Sequence, residues 1–137
     1  MTNPCFIAHR GFSGKYLQNT EEAFLKAVEH GSGGIETDVR ITKDGVFVVN
    51  HNDEAKFIDG SELIVADSTY EELTQMPLLN KKSDEIVYLC TFKRYLITVC
   101  INNSGCNAAC CVDLIFQIKP STVFLIIVVC VGCFGTV

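Results

Sequence analysis

The stretch Gly34-Ile35-Glu36-Thr37-Asp38-Val39-Arg40, followed by Lys43-Asp44-Gly45 and Val46-Phe47-Val48-Val49-Asn50-His51, decides the reading of this chain. Two runs rich in apolar and β-branched residues flank an Asp-Gly signal, so the pattern predicts a strand, a hairpin-type turn and a second strand. Side chains alternate along a strand, which puts Glu36 and Asp38 on one side. Two carboxylates so placed can hold one hard cation, Mg2+ or Ca2+, through oxygen ligands.

Toward the N-terminus, Cys5-Phe6-Ile7-Ala8 after Pro4 predicts a buried first strand that runs into His9-Arg10 and the loop Gly11-Phe12-Ser13-Gly14. Asn19-Thr20-Glu21-Glu22 predicts a helix start, with a capping side chain and acids near the positive end of the dipole. Ala23, Phe24, Ala27 and Val28 follow at helical spacing, and His30-Gly31 marks the stop. Toward the C-terminus the pattern predicts a small hairpin up to Ala66. A short helix then opens at Thr69 and ends before Pro77. Thr91–Asn102 predicts another helix, with Phe92, Tyr95, Leu96 and Val99 on one face, broken by Asn103-Ser104-Gly105. A strand is expected over Ala109–Phe116. This alternation favours an α/β architecture.

Three polar clusters then fall at the C-terminal ends of predicted strands: His9-Arg10, Glu36-x-Asp38 and His51. Active sites of α/β barrels form at that end. Each group has a use on a phosphodiester. A cation on the carboxylates would neutralise phosphoryl charge. Two imidazoles can act as base and acid on opposite sides of the phosphorus. Arg10 can fork onto a phosphoryl oxygen.

Composition bounds these expectations. The chain has 137 residues, which suffices for about half of a (β/α)8 barrel, since a full one takes about 250. Its formal net charge of -5 argues against a nucleic-acid binder, which would show a basic patch. Of the 16 acidic residues, all but Asp113 lie between Glu21 and Glu85. From Tyr95 onward the only formal charges are Asp113 and Lys119. The 8 cysteines crowd the second half, leaving Cys5 alone at the start. No secretory pattern of basic, apolar and small-residue regions opens the chain, so a cytoplasmic location with reduced thiols is expected. Cys106, Cys110, Cys111, Cys130 and Cys133 invite a zinc reading. Two of them lie within an uninterrupted apolar run, which favours thiols acting as small hydrophobes. The run Val123–Val137 carries no charge and is shorter than the roughly 20 residues of a spanning helix. A buried strand with a tail is expected there, with membrane association as the alternative.

Taken in order, His9-Arg10-Gly11, Asn19-Thr20-Glu21-Glu22-Ala23-Phe24, Glu36-Thr37-Asp38-Val39, Thr42-Lys43-Asp44-Gly45 and Val48-Val49-Asn50-His51 resemble the glycerophosphodiester phosphodiesterase family. The resemblance is strong over about residues 5–76 and weaker to about 115. It implies an incomplete (β/α)8 TIM barrel of the phosphodiesterase type, with a partial catalytic domain over 1–120 and an apolar C-terminal tail over 121–137. It implies hydrolysis of glycerophosphodiesters to an alcohol and glycerol 3-phosphate with a divalent cation, Mg2+ or Ca2+. By the same resemblance His9 and His51 are the acid–base pair, and Glu36 and Asp38 are metal ligands. Arg10 is the phosphate contact, and Asp113 in Val112-Asp113-Leu114 is the nearest analogue of a third ligand.

The chain departs from the family pattern at Leu17-Gln18, where Pro-Glu is usual. It departs again at His51-Asn52-Asp53, where Asp commonly follows the histidine directly. At Asp113 the family has Glu within a Glu-x-Lys pattern. The alternative readings are an inactive barrel fragment that self-associates or binds membrane through its apolar half, and a related phospholipid phosphodiesterase.

Overall fold

The computed structural model describes residues 6–101, 112–119 and 122–130. In chain order the elements are β1 (Ile7–His9), α1 (Glu21–Glu29), β2 (Gly34–Ile41), β3 (Phe47–Val49), β4 (Glu54–Lys56), β5 (Glu62–Ile64), a 3-10 turn (Val65–Asp67), α2 (Tyr70–Thr74), α3 (Phe92–Ile101), β6 (Val112–Lys119) and β7 (Thr122–Cys130). Met1–Cys5, the Asn103-Ser104-Gly105 break and the Cys106, Cys110, Cys111 and Cys133 thiols lie outside the described residues.

Strand β2 organises the molecule. Its odd positions Ile35, Thr37 and Val39 are buried. Phe24 and Ala27 of α1 and Tyr95 and Val99 of α3 pack with Ile35, Val39 and Val49 into one core. Phe24 and Tyr95 meet edge to face at 4.6 Å between ring centroids, and the Tyr95 hydroxyl donates to the Ile35 carbonyl at 2.8 Å. A buried tyrosine needs such a polar partner. A second core of Val48, Ala55, Phe57, Val65, Leu73 and Leu89 fixes the excursion from β4 to α2 against the other side of β3.

Local chemistry sets the ends of the helices. Thr20 caps α1, its hydroxyl accepting from the Ala23 N–H at 3.3 Å, and Glu21 and Glu22 occupy the first turn. Thr69 and Glu72 form a capping box on α2. Of the sequence expectations, the α1 start at Thr20 and its stop at His30-Gly31 coincide with the observed element. The α3 helix likewise falls within Thr91–Asn102.

The sheet differs from an all-parallel barrel. β1 pairs with β2 in parallel, but β3 and β7 pair with β2 antiparallel, and β6 pairs antiparallel with β7. The physical cause at β3 is the tight turn. Val46 N–H and Thr42 N–H close it onto Thr42 Oγ1 and the Val46 carbonyl at 2.9 and 3.0 Å. Gly45 supplies the left-handed φ of 83° that the turn requires. A connection this short folds the chain straight back, whereas parallel neighbours need a crossover of a dozen residues or more. β7 lies between β2 and β6 in the sheet. Among the described residues, no helix is long and apolar enough to cross a membrane.

Candidate active site

The register brings the polar clusters to one place by a route that strand order alone does not suggest. β1 and β3 both run along the same edge of β2, opposite β7, and arrive from opposite directions. β1 ends with His9 opposite Glu36, and the next N–H, that of Arg10, donates to the Glu36 carbonyl at 2.9 Å. β3 ends with Val49 opposite Val39, and the Asn50 N–H donates to the Asp38 carbonyl at 3.0 Å. The chain leaves β2 at both points, and His9 and His51 flank the gap at Thr37-Asp38. His51 therefore comes from a returning hairpin strand, not from a third parallel strand, and the carboxylates sit mid-strand on β2 rather than at its end.

Glu36 and Asp38 project to one face of β2, as the alternation requires. They are close to dry: the side chains are 14% and 2% exposed. His9 Nε2 lies 3.7 Å from Glu36 Oε2, with the imidazole 66% exposed. A second bond to that oxygen comes from the Arg10 N–H at 3.2 Å. Burial pushes the Glu36 carboxyl above its usual range, and the negative charge of Asp38 pushes it further; His9 and Arg10 pull it back in part.

Arg10 turns inward. Its Nε stands 3.0 Å from Asp38 Oδ2, and its Nη1 donates to Gln18 at 3.1 Å. The sequence expectation aimed this guanidinium at a phosphoryl oxygen. In the structure its Nε is a buried atom without a well-aligned hydrogen bond, held against Asp38 by charge.

Two residues missed by sequence reasoning complete the frame. Asn19 is buried, and its amide donates to Asp38 Oδ2 at 3.2 Å while its carbonyl accepts from the Thr37 hydroxyl at 2.9 Å. It holds φ at 56°, a left-handed conformation that asparagine tolerates better than most residues. The Asn-Thr pair ahead of α1 reads as a cap, and nothing in the spacing marks the first member as a clamp on the carboxylate. Arg40, on the same face of β2, donates through Nε and Nη2 to the His51 carbonyl at 3.2 and 2.5 Å, and its Nη1 meets Asp53 Oδ1 at 2.6 Å. It fixes the backbone that carries His51, while the His51 imidazole bonds to Asn52 Oδ1 through Nδ1 at 2.9 Å.

The remaining sequence candidate, Asp113, lies on β6. Its register partner is Val128 of β7, and Val128 also faces Glu36. Asp113 thus shares a cross-strand row with Glu36, one strand removed.

The arrangement suits an anionic substrate with a cation. Among the described residues, no three His, Cys, Asp or Glu side chains converge as a metal-holding group. Glu36 and Asp38 nevertheless supply hard oxygen donors of the right chemistry. Burial first, and then the neighbouring charge of Asp38, raise the Glu36 carboxyl, and a cation between the two would offset that second part. Both contacts to Asp38 fall on Oδ2. The residues present therefore fit a divalent cation as two of its ligands.

The order of these groups along the chain is what comparison with known proteins bears on. The description "Glycerophosphoryl diester phosphodiesterase family" matches residues 9–114, from the first histidine to just past Asp113. The chain belongs to this family. A glycerophosphodiester phosphodiesterase from Bacillus altitudinis is 47% identical over 67 residues, covering 49% of this chain and 27% of that protein. The crystal structure of a glycerophosphodiester phosphodiesterase from Thermotoga maritima aligns with a TM-score of 0.58 at 36% identity, over 74% of this chain and 42% of that one. A phosphodiesterase from Oleispira antarctica, solved in complex with its product sn-glycerol 3-phosphate, aligns with a TM-score of 0.59 at 22% identity. That alignment covers 76% of this chain and 43% of the other. The chain thus spans 27% to 29% of the length of the first bacterial relatives it matches, and the mixed α/β fold corresponds to part of the family's barrel.

The state of Glu36 gives the carboxylate pair a measurable signature. Its folded-state pKa lies above the unfolded value, so the folded chain binds the proton more tightly. Ionising Glu36 therefore costs stability above the folded pKa, and that cost vanishes as pH falls below the ordinary glutamate value. Glu36→Gln is expected to be more stable than the wild type at pH 7 without divalent cation, with the advantage lost between those two pKa values. Urea denaturation at pH 7 and pH 4 checks this; a Glu36→Gln chain less stable at pH 7 would contradict it.

Proposed function

We propose that the chain carries a phosphodiesterase half-site that hydrolyses glycerophosphodiesters to an alcohol and sn-glycerol 3-phosphate. The observation that carries this reading is the pair of buried Asp38 and half-buried Glu36 on one face of β2, with His9 and His51 delivered to either end of it. A divalent cation on these carboxylates, Mg2+ or Ca2+, would withdraw charge from the phosphoryl oxygens. Asp113 is a candidate further ligand by its place in the same cross-strand row. The chain's own groups do the rest. One imidazole takes a proton from the attacking water as the new P–O bond forms. The other gives a proton to the departing alkoxide as the old P–O bond breaks, so one water is consumed and charge balances. Arg10 orients Asp38, its Nε 3.0 Å from Oδ2, and on substrate entry its guanidinium is the nearest cation for a phosphoryl oxygen.

The test is release of glycerol 3-phosphate by the purified chain from a soluble glycerophosphodiester, with 5–10 mM Mg2+ or Ca2+ as a rough working range for a weakly held hard cation. Turnover that chelation abolishes and either cation restores is the expected result. No turnover with any cation overturns the reading.

A second reading has one observation in its favour. Among the described residues β1 pairs with β2 alone, and Ile7 on it and Phe6 just ahead of it are 52% and 73% exposed. An unpaired edge with apolar side chains invites pairing with another chain. Self-association of an inactive fragment would show as a concentration-dependent mass in light scattering, together with no cation-dependent turnover.

A further inference from the structure

We propose that the groove between α1 and the 85–91 segment docks a short cationic and apolar stretch of a partner polypeptide. The groove is separate from the phosphodiesterase site: none of His9, Arg10, Asn19, Glu36, Asp38 and His51 lines it.

The groove has a volume of about 690 Å3 and lies between Glu21, Glu22 and Leu25 of α1 and the chain from Glu85 to Thr91. That volume falls in the range of ligand-binding clefts and takes the side chains of a short peptide run. Ile86 and Tyr88 are exposed, while Val87 is partly buried and Leu89 is buried. Alternate residues thus turn out and in, as along a strand. The Val87 carbonyl is used internally, accepting from the Leu78 N–H at 2.7 Å. Among the described residues the backbone N–H and C=O groups of Ile86 and Tyr88 have no partner. They leave an edge with which an incoming strand can pair, and this favours a polypeptide over a small molecule.

Charge decides the sign of the partner. Glu21 is answered by Arg94, whose Nε and Nη2 both stand 2.8 Å from its Oε1. Glu22 and Glu85 are left over. Lys26, one turn along α1 from Glu22, has its Nζ 2.8 Å from Glu29 Oε2. Ahead of Glu85, Lys82 Nζ donates to the Gly14 carbonyl at 3.3 Å, and Lys81 lines the cleft beside His51. Asp84 and Lys93 carry opposite charges next to the wall without lining it. The wall is therefore negative. Burial first, and then the hydrogen bond shared with Glu85 and its charge, raise the Glu22 carboxyl, and Lys26 pulls it back in part. A partner's ammonium or guanidinium group at these carboxylates would offset the Glu85 part, and its apolar side chains would cover Ile86 and Tyr88. The chain's own net charge of -5 disfavours a second copy as the occupant.

The probe is a short fluorescein-labelled peptide that alternates lysine and leucine, titrated with the full chain and read by fluorescence anisotropy. A counterpart with glutamate in place of lysine is the sign control. The lysine peptide is expected to bind and the glutamate peptide not to bind. Glu22→Gln combined with Glu85→Gln is expected to weaken binding about three- to tenfold, the worth of two partly exposed charges. Asp67→Asn combined with Glu71→Gln removes as much charge from exposed positions outside the groove and is expected to leave binding unchanged. Tyr88→Ser is expected to weaken binding through the apolar lip. No binding of the lysine peptide, an equal loss in the Asp67/Glu71 control, or no effect of Tyr88→Ser overturns the proposal. So does competition by putrescine at the peptide's own affinity, which would make the groove a small-cation site. Turnover is not read, so the fate of the phosphodiesterase reading does not bear on the result.

Discussion

His51→Ala is expected to lower cation-dependent hydrolysis of a glycerophosphodiester by about 10²- to 10⁴-fold, the usual worth of a positioned acid or base. The loss falls on chemistry and not on folding. The fold grips residue 51 through its carbonyl, which Arg40 holds with two hydrogen bonds, and alanine keeps that carbonyl. The midpoint of urea unfolding should therefore stay within about 0.5 kcal/mol of the wild type, as for a surface substitution. His9→Ala is expected to behave alike, since its imidazole is 66% exposed. The two differ with the leaving group. A p-nitrophenyl phosphodiester departs without protonation, so the variant lacking the acid recovers on it and the variant lacking the base does not. Recovery of about tenfold or more in His51→Ala alone identifies His51 as the acid. Full activity of both variants on the natural diester removes the histidine pair from the mechanism.

Gly11→Ala is expected to cost about 3–5 kcal/mol and leave much of the chain unfolded, because overpacking and a left-handed backbone add together. Gly11 holds φ at 82°, and a Cβ there would lie 2.7 Å from the Ala23 carbonyl carbon and 2.8 Å from its oxygen and Cβ. Two of these are backbone atoms of α1 and the Cβ is fixed directly to that backbone, so none can swing aside. Relief would move α1 away from the loop and break the Phe12 N–H bond to the Ala23 carbonyl, now 2.8 Å. The carboxylate site would follow, since Arg10 precedes Gly11 and Asn19 leads into the same helix. Gly14→Ala is the control: nothing lies within 4 Å of a Cβ at that position. Circular dichroism and urea unfolding of the two variants give the comparison, and a Gly11→Ala chain as stable as Gly14→Ala would refute the account.

Much of this was legible in the sequence because it depends on short-range chemistry. Thr20, Thr69 and Gly45 act on their immediate neighbours, so their types and spacing announce two helix starts and a turn. The common face of Glu36 and Asp38 follows from strand alternation. The long-range partnerships were not legible. Asn19 to Asp38 and Arg40 to the His51 carbonyl join segments that no periodicity links. The inward turn of Arg10 is likewise a competition: the buried charge of Asp38, almost without water, wins the guanidinium. Strand direction was the other gap. Polar residues at strand ends look alike whether the strands run side by side or meet head on. Cys90, about which the sequence reading made no prediction, is buried, and that burial pushes its thiol up to about 12.

The turn at 42–46 reaches further than its position suggests. Two side chains hold it: Asp44 accepts from the Thr42 hydroxyl and from the Tyr70 N–H at 3.0 Å, and the first of these holds its carboxyl below the usual range. That turn fixes which residue at the end of β3 stands opposite Val39, and so that Asn50 meets Asp38, while β1 is registered on β2 independently. The span between the two histidines is thus set like the jaws of a calliper. One jaw is clamped at Glu36, and the other slides in steps of about 3.3 Å per residue with the hairpin register. A one-residue insertion or deletion in this remote turn would reset the gauge between His9 and His51 without touching either histidine.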